Sequence, residues 1–533
     1  MQQIKKSSLN NSLIIIISSL LTSYFFIQVY PIEQRAVDAG LVLAKFVNYP
    51  DQTSPMTEYY LRSWTSIHQI TKFFLNLNWS ILNVSQLIIF ITATFYFLGI
   101  ALTINSASRS ILIAILVAFM ILAFQKNFGD TDYPSMIFSE HTYGMLSLAI
   151  VTFIFGLLFS GNLFLAGFFS ALSISIHPII GIWITGIIFI SLIFNKYFFK
   201  FSLNYNKLIK GFSVGIILTV ISLYSYYMLT ADFTSSFDLE SYNNYMKYWE
   251  GHRTSTEYHP EYFIKTLILL VCACLAIMGL KNNLTENFRF GIICVLASII
   301  FSTIIYFIYK IFFPYMPNLI TLIMPTRFTI LHSVIGWPLI LSLLFVFVKK
   351  FGIMNKVTNN FAEILIFLIV LLYSASHYKG LIKLQNLLTK NPFIQTMSLE
   401  DKNFWNEIKN VRPDGYIITS YSSSSTSMRK SLKPVMLDVS SFDFVPYFPN
   451  TAKSLAKIIE EIYGIDFTNP PLESKNRGSL SDKIIKINFE KYSKKKWQQL
   501  FKDFNLIGVV VPIDWKMKLT PYAKGSRFVF YVI

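Results

Sequence analysis

Long apolar runs constrain this chain more than any other feature of its sequence. A bilayer core about 30 Å thick needs about 20 apolar residues in a helix, and runs approaching this length recur along the first 376 residues. They occupy residues 13–30, 85–104, 110–124, 143–160, 162–177, 179–195, 211–230, 263–280, 290–309, 329–348 and 361–376. The pattern predicts a multi-pass α-helical membrane protein with roughly eleven transmembrane helices.

The composition agrees with this class. Charged residues make up 14% of the 533 residues, against about 25% in a typical soluble domain. The net charge of +17 does not indicate nucleic-acid binding, because the basic residues of the membrane part gather in alternate loops, as orientation signals do. All three cysteines lie in apolar runs, so neither a disulfide framework nor a thiolate metal site is expected.

The loop charges also predict orientation. Lys5 and Lys6 precede the first run, and no small-residue cleavage site follows it, so an uncleaved span with a cytoplasmic N-terminus is expected. The chain after His377 is then extracytoplasmic. The Lys-, Asn- and Ile-rich usage is typical of an AT-rich bacterial genome and indicates a bacterial inner (plasma) membrane. The outer loops of the bundle, residues 1–378, are predicted at about 31–84, 125–141 and 231–262.

A soluble C-terminal domain is predicted to follow the bundle. Residues 379–396 are expected to form a linker, and from residue 397 the composition is that of an ordinary soluble protein. Strands that alternate with helices indicate an α/β domain, and the Ser-rich stretch 420–427 is expected to be a flexible loop. The predicted helices are 399–411, 451–464 and 489–504, and the predicted strands are 415–420, 433–439, 506–512 and 527–533.

Ionisable residues at the outer ends of the helices are the candidate functional groups, since charge near membrane depth is costly and marks function more often than surface charge does. Asp38 follows the first helix within 33–47, an amphipathic stretch expected to lie along the membrane surface. A carboxylate there can take a proton from an acceptor hydroxyl. The alternative is a solvated charge on a polar helix face.

Asp130 and Asp132 form an Asp-Thr-Asp in the second outer loop. Two carboxylates one residue apart can share a divalent cation, such as Mg²⁺ or Mn²⁺, that neutralises a pyrophosphate. The pattern is also common by chance, and a chance occurrence is the alternative.

The remaining outer acids and histidines are predicted to bind substrate. Glu140 and His141 begin the fourth apolar helix, and His177 lies between the fifth and sixth, where it either contacts phosphate or caps a helix end. Glu257 and His259 lie in the third outer loop, which either orders on substrate binding or stays solvated.

Arg327 is the leading cation, at the outer start of the tenth helix in MPTRFTILH (324–332). Its forked donors match a lipid phosphate. The alternative is that the side chain reaches ordinary lipid headgroups.

The order of these parts resembles the GT-C type of membrane glycosyltransferase: a cytoplasmic N-terminus, an acid in the first outer loop, a helical bundle and an outer soluble domain. More narrowly, the chain resembles a bacterial family of uncharacterised multi-pass membrane proteins related to that superfamily. That likeness lies in SIHPIIGIW (175–183) and PTRF (325–328), and in the tail in the helix with Trp405, GYIITS (415–420), SMRKSLKPVMLD (427–438) and LIGVVVP (506–512).

The resemblance implies inverting transfer of a sugar from a polyprenyl-phosphate donor to a glycan, lipid or protein acceptor at the outer face of the membrane. Arg327, with His177 or His259, would hold the phosphate leaving group, and Asp38 would activate the acceptor hydroxyl. Asp38 occupies the place of the superfamily's acid but lacks the common Asp-Glu pair.

Three other functions are compatible with a bundle of this kind. A transporter or flippase would place charges near the bilayer midplane and often shows two related halves, and no convincing internal repeat is present. An O-antigen polymerase or ligase usually carries its main outer domain between late helices. A non-catalytic membrane assembly protein would need neither the outer acids nor Arg327.

Overall fold

The computed structural model describes residues 2–129, 133, 135–228, 237–251, 253, 260–317, 320, 322–351, 357–376 and 398–533. Four predicted site residues, Asp130, Asp132, Glu257 and His259, lie outside the described residues, as does the predicted linker.

Helices occupy every predicted apolar run, which confirms the multi-pass helical architecture. The run at 329–348 is divided between two helices. The helices of this part are α1 (Gln2–Val29), α2 (Ala36–Leu43), α3 (Pro55–Arg62), α4 (Ser66–Asn76), α5 (Ile81–Ser108), α6 (Ile111–Ala123), α7 (Gln125–Phe128), α8 (Gly144–Ser160), α9 (Leu163–Ile176), α10 (Pro178–Phe194), α11 (Tyr205–Tyr227), α12 (Leu239–Tyr248), α13 (Pro260–Gly279), α14 (Glu286–Phe312), α15 (Ile330–Ser333), α16 (Gly336–Phe351) and α17 (Val357–Ala375).

The apolar helices fall into two length classes. Among the described residues, five segments are long and apolar enough to cross a membrane, while α6, α8, α9 and parts of α13 and α17 are apolar but shorter. Helix α11 exposes Ile217, Val220 and Ile221, each to 57%, an apolar surface that lipid would cover. The five long segments are Asn11–Val29, Ile81–Ser108, Pro178–Phe199, Tyr205–Tyr227 and Glu286–Tyr315.

Glycines allow two helix pairs of the bundle to pack backbone against backbone. A Cβ at Gly211 in α11 would lie 1.9 Å from the carbonyl oxygen of Phe164 in α9, and one at Gly99 in α5 would lie 2.5 Å from the Thr152 backbone in α8. Small residues at such crossings are typical of membrane helix packing, because van der Waals contact drives association in lipid.

The first outer loop differs from its prediction. The stretch 33–47 was expected along the membrane surface, but every residue of α2 is buried. The helix packs against α4 and α5. Its mostly apolar sequence, AVDAGLVL, suits a position surrounded by protein on all sides.

The C-terminal domain is α/β, as predicted, with a four-stranded sheet in the order β1–β2–β4–β3. Strands β1 and β2 are parallel and the other two pairs are antiparallel. The strands are β1 (Tyr416–Thr419), β2 (Leu506–Pro512), β3 (Thr520–Lys524) and β4 (Phe528–Val532), and the helices are α18 (Leu399–Asn410), α19 (Ser424–Ser431), α20 (Ser441–Phe444), α21 (Ala452–Glu461), α22 (Asp482–Lys491) and α23 (Lys494–Asp503).

Several details of this domain were predicted wrongly. The strand expected at 433–439 is reduced to a single bridge between Ile417 and Val435. The helix expected at 489–504 is two helices, because the chain is extended at Ser493, whose side chain caps α23 by accepting from the Lys496 amide. Strand β3 was missed, and four of its five residues are exposed, so it carries no apolar pattern.

The Ser-rich stretch is ordered rather than flexible. It forms a 3₁₀ turn and then α19. The Ser425 hydroxyl donates to Asp438 Oδ2 at 2.6 Å, and the Tyr421 amide donates to Asp482 Oδ1 at 2.6 Å. The carboxylates that fix this stretch lie 13 and 61 residues further along the chain, which is why local composition did not reveal its order.

The C-terminal domain packs against the outer loops of the bundle. Trp249, just after α12, is fully buried between Phe442 and Phe467 and donates its indole N–H to the Phe467 carbonyl at 2.8 Å. In the first outer loop, the Asp51 carboxylate accepts from the Tyr416 hydroxyl at 2.8 Å. The first outer loop, the third outer loop and the C-terminal domain therefore lie at the same end of the bundle.

Candidate active site

A cavity of about 510 Å³ lies where the helices α8 and α10 meet the C-terminal domain. Four residues predicted from sequence to bind substrate line it together, although 187 positions separate the first from the last. They are Glu140, His141, His177 and Arg327.

The cavity lining is amphipathic. The end formed by helices and the Arg327 turn is apolar, with Leu148, Ile180, Trp183 and Ile330 among its residues. The other end is polar and carries ionisable side chains, which are Arg35, Glu140, Arg253 and Asp443. A molecule with an apolar body and a charged head would match both ends.

Gln34 holds the polar end together by joining the first and second outer loops. Its side-chain amide donates to the Ser139 carbonyl at 2.9 Å, and its side-chain oxygen accepts from the His141 amide at 3.1 Å. These bonds on either side of Glu140 place the carboxylate beside Arg35, whose Nε lies 3.3 Å from Glu140 Oε1.

His177 is held at the start of α10. Its backbone is extended, Pro178 takes the first helical position, and its Nδ1 accepts from the Ile180 amide at 3.5 Å. This is the helix-capping role that the sequence offered as one alternative. Since the ring also lines the cavity, the cap fixes its orientation toward any ligand.

Arg327 ends a 3₁₀ turn, Pro325–Arg327, that follows a left-handed residue, Met324, with φ of 47°. Both Met324 and Arg327 line the cavity. The turn leads into α15 and brings Arg327 to the cavity wall.

Arg253 and Asp443 belong to the polar end but were not predicted as site residues. The Arg253 guanidinium is buried and donates to Glu250 Oε2 at 2.9 Å and to the Asp443 carbonyl at 2.7 Å. It also lies 5.0 Å from the centre of the Tyr447 ring. The sequence showed Arg253 only as part of a polar loop, and Asp443 only as an acid in a soluble domain.

Arg429 lies behind the cavity and joins three acids of the first and second outer loops. Its Nη1 is 3.5 Å from Asp38 Oδ1, its Nε is 3.6 Å from Glu33 Oε2, and its Nη2 donates to Glu140 Oε1. The side chain of Arg429 is 2% exposed. We call Glu33, Asp38, Glu140 and Arg429 the Arg429 cluster.

Asp38 is a buried member of this cluster. Its side chain is 5% exposed, and it is absent from the described residues that line the cavity. Burial raises the pKa of Asp38 well above its ordinary value, and the Arg429 charge only partly opposes this. A raised pKa suits proton transfer, but a base must also lie within hydrogen-bond reach of the proton that it takes, and in this conformation Asp38 does not line the cavity.

No group of three or more His, Cys, Asp or Glu side chains that could hold a metal ion occurs among the described residues. The cavity is lined by three arginines and two carboxylates, a set that favours an anion over a divalent cation. The predicted cation site at Asp130 and Asp132 stays a prediction, because both residues lie outside the described part.

A second cavity of about 290 Å³ adjoins the first. The two share Tyr143, His177, Phe444 and Tyr447 among their lining residues, and the second adds Tyr59, Trp64 and Arg62. Its lining is therefore mainly aromatic, and Phe444 stacks face to face on Tyr59.

No protein-family model matches the sequence, and no curated protein matches it. Among solved structures, the chain is similar to ArnT from Cupriavidus metallidurans, whose structure has undecaprenyl phosphate bound. The match covers 97% of each chain, with 12% sequence identity and a TM-score of 0.44. Values this low assign neither a substrate nor a reaction to the present chain.

Proposed function

We propose that this protein is a membrane glycosyltransferase that takes a sugar from a polyprenyl-phosphate-linked donor and transfers it to a glycan, lipid or protein acceptor at the outer face of the bacterial inner membrane. The observation that carries the proposal is the amphipathic cavity between the bundle and the C-terminal domain. The resemblance of the sequence to the GT-C superfamily supports the same reaction class.

The lining of the cavity suits both the apolar chain and the charged head of a phosphorylated lipid. Trp183 and Ile330 offer an apolar wall to an isoprenoid chain, while Arg327 adjoins that wall and offers a guanidinium to the phosphate. Arg253 adds a further donor, because its buried Nε has no hydrogen-bond partner among the described residues. Guanidinium groups match phosphate oxygens in geometry and charge.

In the proposed reaction, the bound polyprenyl phosphate is the leaving group. An acceptor hydroxyl attacks C1 of the donor sugar, the bond from C1 to the phosphate oxygen breaks, and its electron pair stays on the polyprenyl phosphate. The arginines stabilise the charge that develops there. The hydroxyl proton passes to a carboxylate acting as base.

Sequence and geometry favour different residues as the base. The superfamily resemblance implies Asp38, whose carboxylate is buried within the Arg429 cluster. Glu140 and Asp443 are the described carboxylates that line the cavity itself. Direct proton transfer to Asp38 would require the contacts between Arg429 and the acids of its cluster to break.

Binding of the lipid phosphate tests the proposal directly. The purified full-length protein in detergent is titrated with undecaprenyl phosphate and with undecaprenol, and the shift of the thermal unfolding midpoint is followed. We expect the phosphate to stabilise wild type and undecaprenol to do so much less. Arg327→Gln should weaken binding of the phosphate about tenfold or more, while Arg412→Gln, on an exposed pair with Asp414, should not.

Transfer itself separates the proposed enzyme from a transporter and from an assembly protein. A deletion strain of an enzyme should accumulate unmodified acceptor, and wild type but not Arg327→Gln should restore its modification. Accumulation of a lipid-linked intermediate on the cytoplasmic side would instead indicate a flippase. Equal stabilisation by undecaprenol and undecaprenyl phosphate would contradict a phosphate site in the cavity.

A further inference from the structure

The two carboxylates of the cavity are held very differently. Glu140 Oε1 accepts from the guanidinium groups of both Arg429 and Arg35, so that oxygen is occupied by two charged donors. A carboxylate bound in this way is suited to orienting its neighbours.

Asp443 is the more available of the two. Its Oδ1 lies 4.0 Å from Arg253 Nη1, beyond hydrogen-bond distance, and 56% of its side chain is exposed. No hydrogen bond to its carboxylate occurs among the described residues. Its backbone, in contrast, is fixed, because the Asp443 carbonyl accepts from Arg253 Nη2 at 2.7 Å.

Arg253 anchors the Asp443 backbone and lies at the outer limit of an ion pair with its carboxylate. The hydrogen bonds of Arg253 to a carboxylate go to Glu250, whose Oε2 accepts at 2.9 Å and whose Oε1 accepts from the Arg253 amide at 2.7 Å. Both side chains of that pair are at most 4% exposed. Among the described residues, Asp443 is therefore the cavity carboxylate that is anchored through its backbone and accepts no hydrogen bond at its side chain.

The position of Asp443 also suits an acceptor. Phe444 and Tyr447, one and four residues further along the chain, line both the amphipathic cavity and the aromatic cavity beside it. A molecule seated in the aromatic cavity would reach the donor across this shared wall. Asp443 lies on the donor side of the same wall, where the acceptor hydroxyl would emerge.

We propose that Asp443, and not Asp38, accepts the proton of the acceptor hydroxyl during sugar transfer. The assignment rests on the proposed function. As the acceptor oxygen bonds to C1 of the sugar and the polyprenyl phosphate leaves with its electron pair, the O–H bond breaks and the proton moves to Asp443. Water then removes the proton from the carboxyl group after the product leaves.

Substitutions at three aspartates test the assignment. Full-length protein in liposomes is given undecaprenyl phosphate carrying radiolabelled hexoses or hexosamines, with membranes of the deletion strain as the acceptor source. Asp443→Asn should lower turnover about 10²- to 10⁴-fold and remove the acidic limb of the pH profile of kcat/KM. Its affinity for undecaprenyl phosphate should stay within about threefold of wild type, and Asp443→Glu should recover part of the rate.

Asp503→Asn, at the exposed end of α23, should keep the wild-type rate and is the matched control. Asp38→Asn should retain the acidic limb of the pH profile of kcat/KM, whatever its turnover rate. Wild-type turnover by Asp443→Asn, or loss of the limb in Asp38→Asn alone, overturns the assignment and leaves the proposed function standing. Wild-type protein that turns over none of the donors counts against the proposed function, and the assignment fails with it.

Discussion

Arg429 Nη1 lies 3.5 Å from Asp38 Oδ1, which joins the C-terminal domain to the first outer loop through two side chains that are 2% and 5% exposed. The contact requires that both residues lie on the same side of the membrane. It also explains how an acid placed directly after the first helix becomes buried, because the C-terminal domain covers it.

Arg429→Ala should destabilise the interface between the C-terminal domain and the outer loops. Three acids, Glu33, Asp38 and Glu140, would lose a buried cation, and removing one partner of a buried ion pair costs about 3–5 kcal/mol. We expect a lower unfolding midpoint in detergent and faster proteolysis between the bundle and the C-terminal domain.

Arg412→Ala is the control for that substitution. Its pair with Asp414 is 72% and 65% exposed, and exposed pairs contribute about 0–1 kcal/mol. Arg429→Ala and Arg412→Ala having equal unfolding midpoints would show that the Arg429 cluster does not hold the domains together.

Asp38 should make the stability of the protein depend on pH. Burial raises its folded-state pKa above the unfolded value, so the folded state binds the proton more tightly. The stability that results is complete below about pH 4 and is lost as the pH rises through the folded pKa. Asp38→Asn, which stays neutral, should therefore gain stability relative to wild type between pH 5 and pH 8.

Asp466→Asn is the matched comparison for this pH dependence. A hydrogen bond from Thr468 lowers the pKa of Asp466, so its contribution is lost only as the pH falls below about 4. The difference in unfolding midpoint between Asp466→Asn and wild type should then be the same at pH 5, 6, 7 and 8. If the difference between Asp38→Asn and wild type is also constant, Asp38 is ionised in the folded protein across this pH range.

Residue patterns predicted the parts of the fold that depend on local hydrophobicity. Every apolar run is helical, although 329–348 is divided between two helices, and three strands of the C-terminal sheet lie where strands were expected. Strand β3 was not predicted because it is exposed. The Ser-rich stretch was wrongly predicted to be flexible because the carboxylates that order it, Asp438 and Asp482, are distant in sequence. Local patterns cannot show which distant partner satisfies a hydroxyl or an amide.

The candidate site was predictable only in its membrane half. Glu140, His177 and Arg327 stand out because ionisable groups are rare beside apolar helices, and they do line one cavity. Asp443 and Arg429 lie in a soluble domain where acids and bases are ordinary. Their importance comes from docking of that domain on the outer loops, which no spacing in the sequence encodes.

Close helix packing should make Gly211 intolerant of even a methyl group. Gly211→Ala would place a Cβ 1.9 Å from the Phe164 carbonyl oxygen, so α9 and α11 must separate. Overpacking of this kind costs about 1–3 kcal/mol, which a lower unfolding midpoint in detergent would show. Gly186→Ala in α10 meets no atom within 4 Å and should be neutral or stabilising by up to about 1 kcal/mol.

Cysteine labelling in intact cells tests the orientation on which the outer-face reaction depends. In a background lacking Cys272, Cys274 and Cys294, single cysteines at Gln52 and Lys495, both exposed, should react with a membrane-impermeant maleimide. A cysteine at Lys207, exposed at the opposite, basic end of the bundle, should react only after the membrane is permeabilised. Labelling of Gln52 and Lys495 from opposite sides would contradict the Asp38–Arg429 contact, and labelling of both only after permeabilisation would move the proposed reaction to the cytoplasmic face.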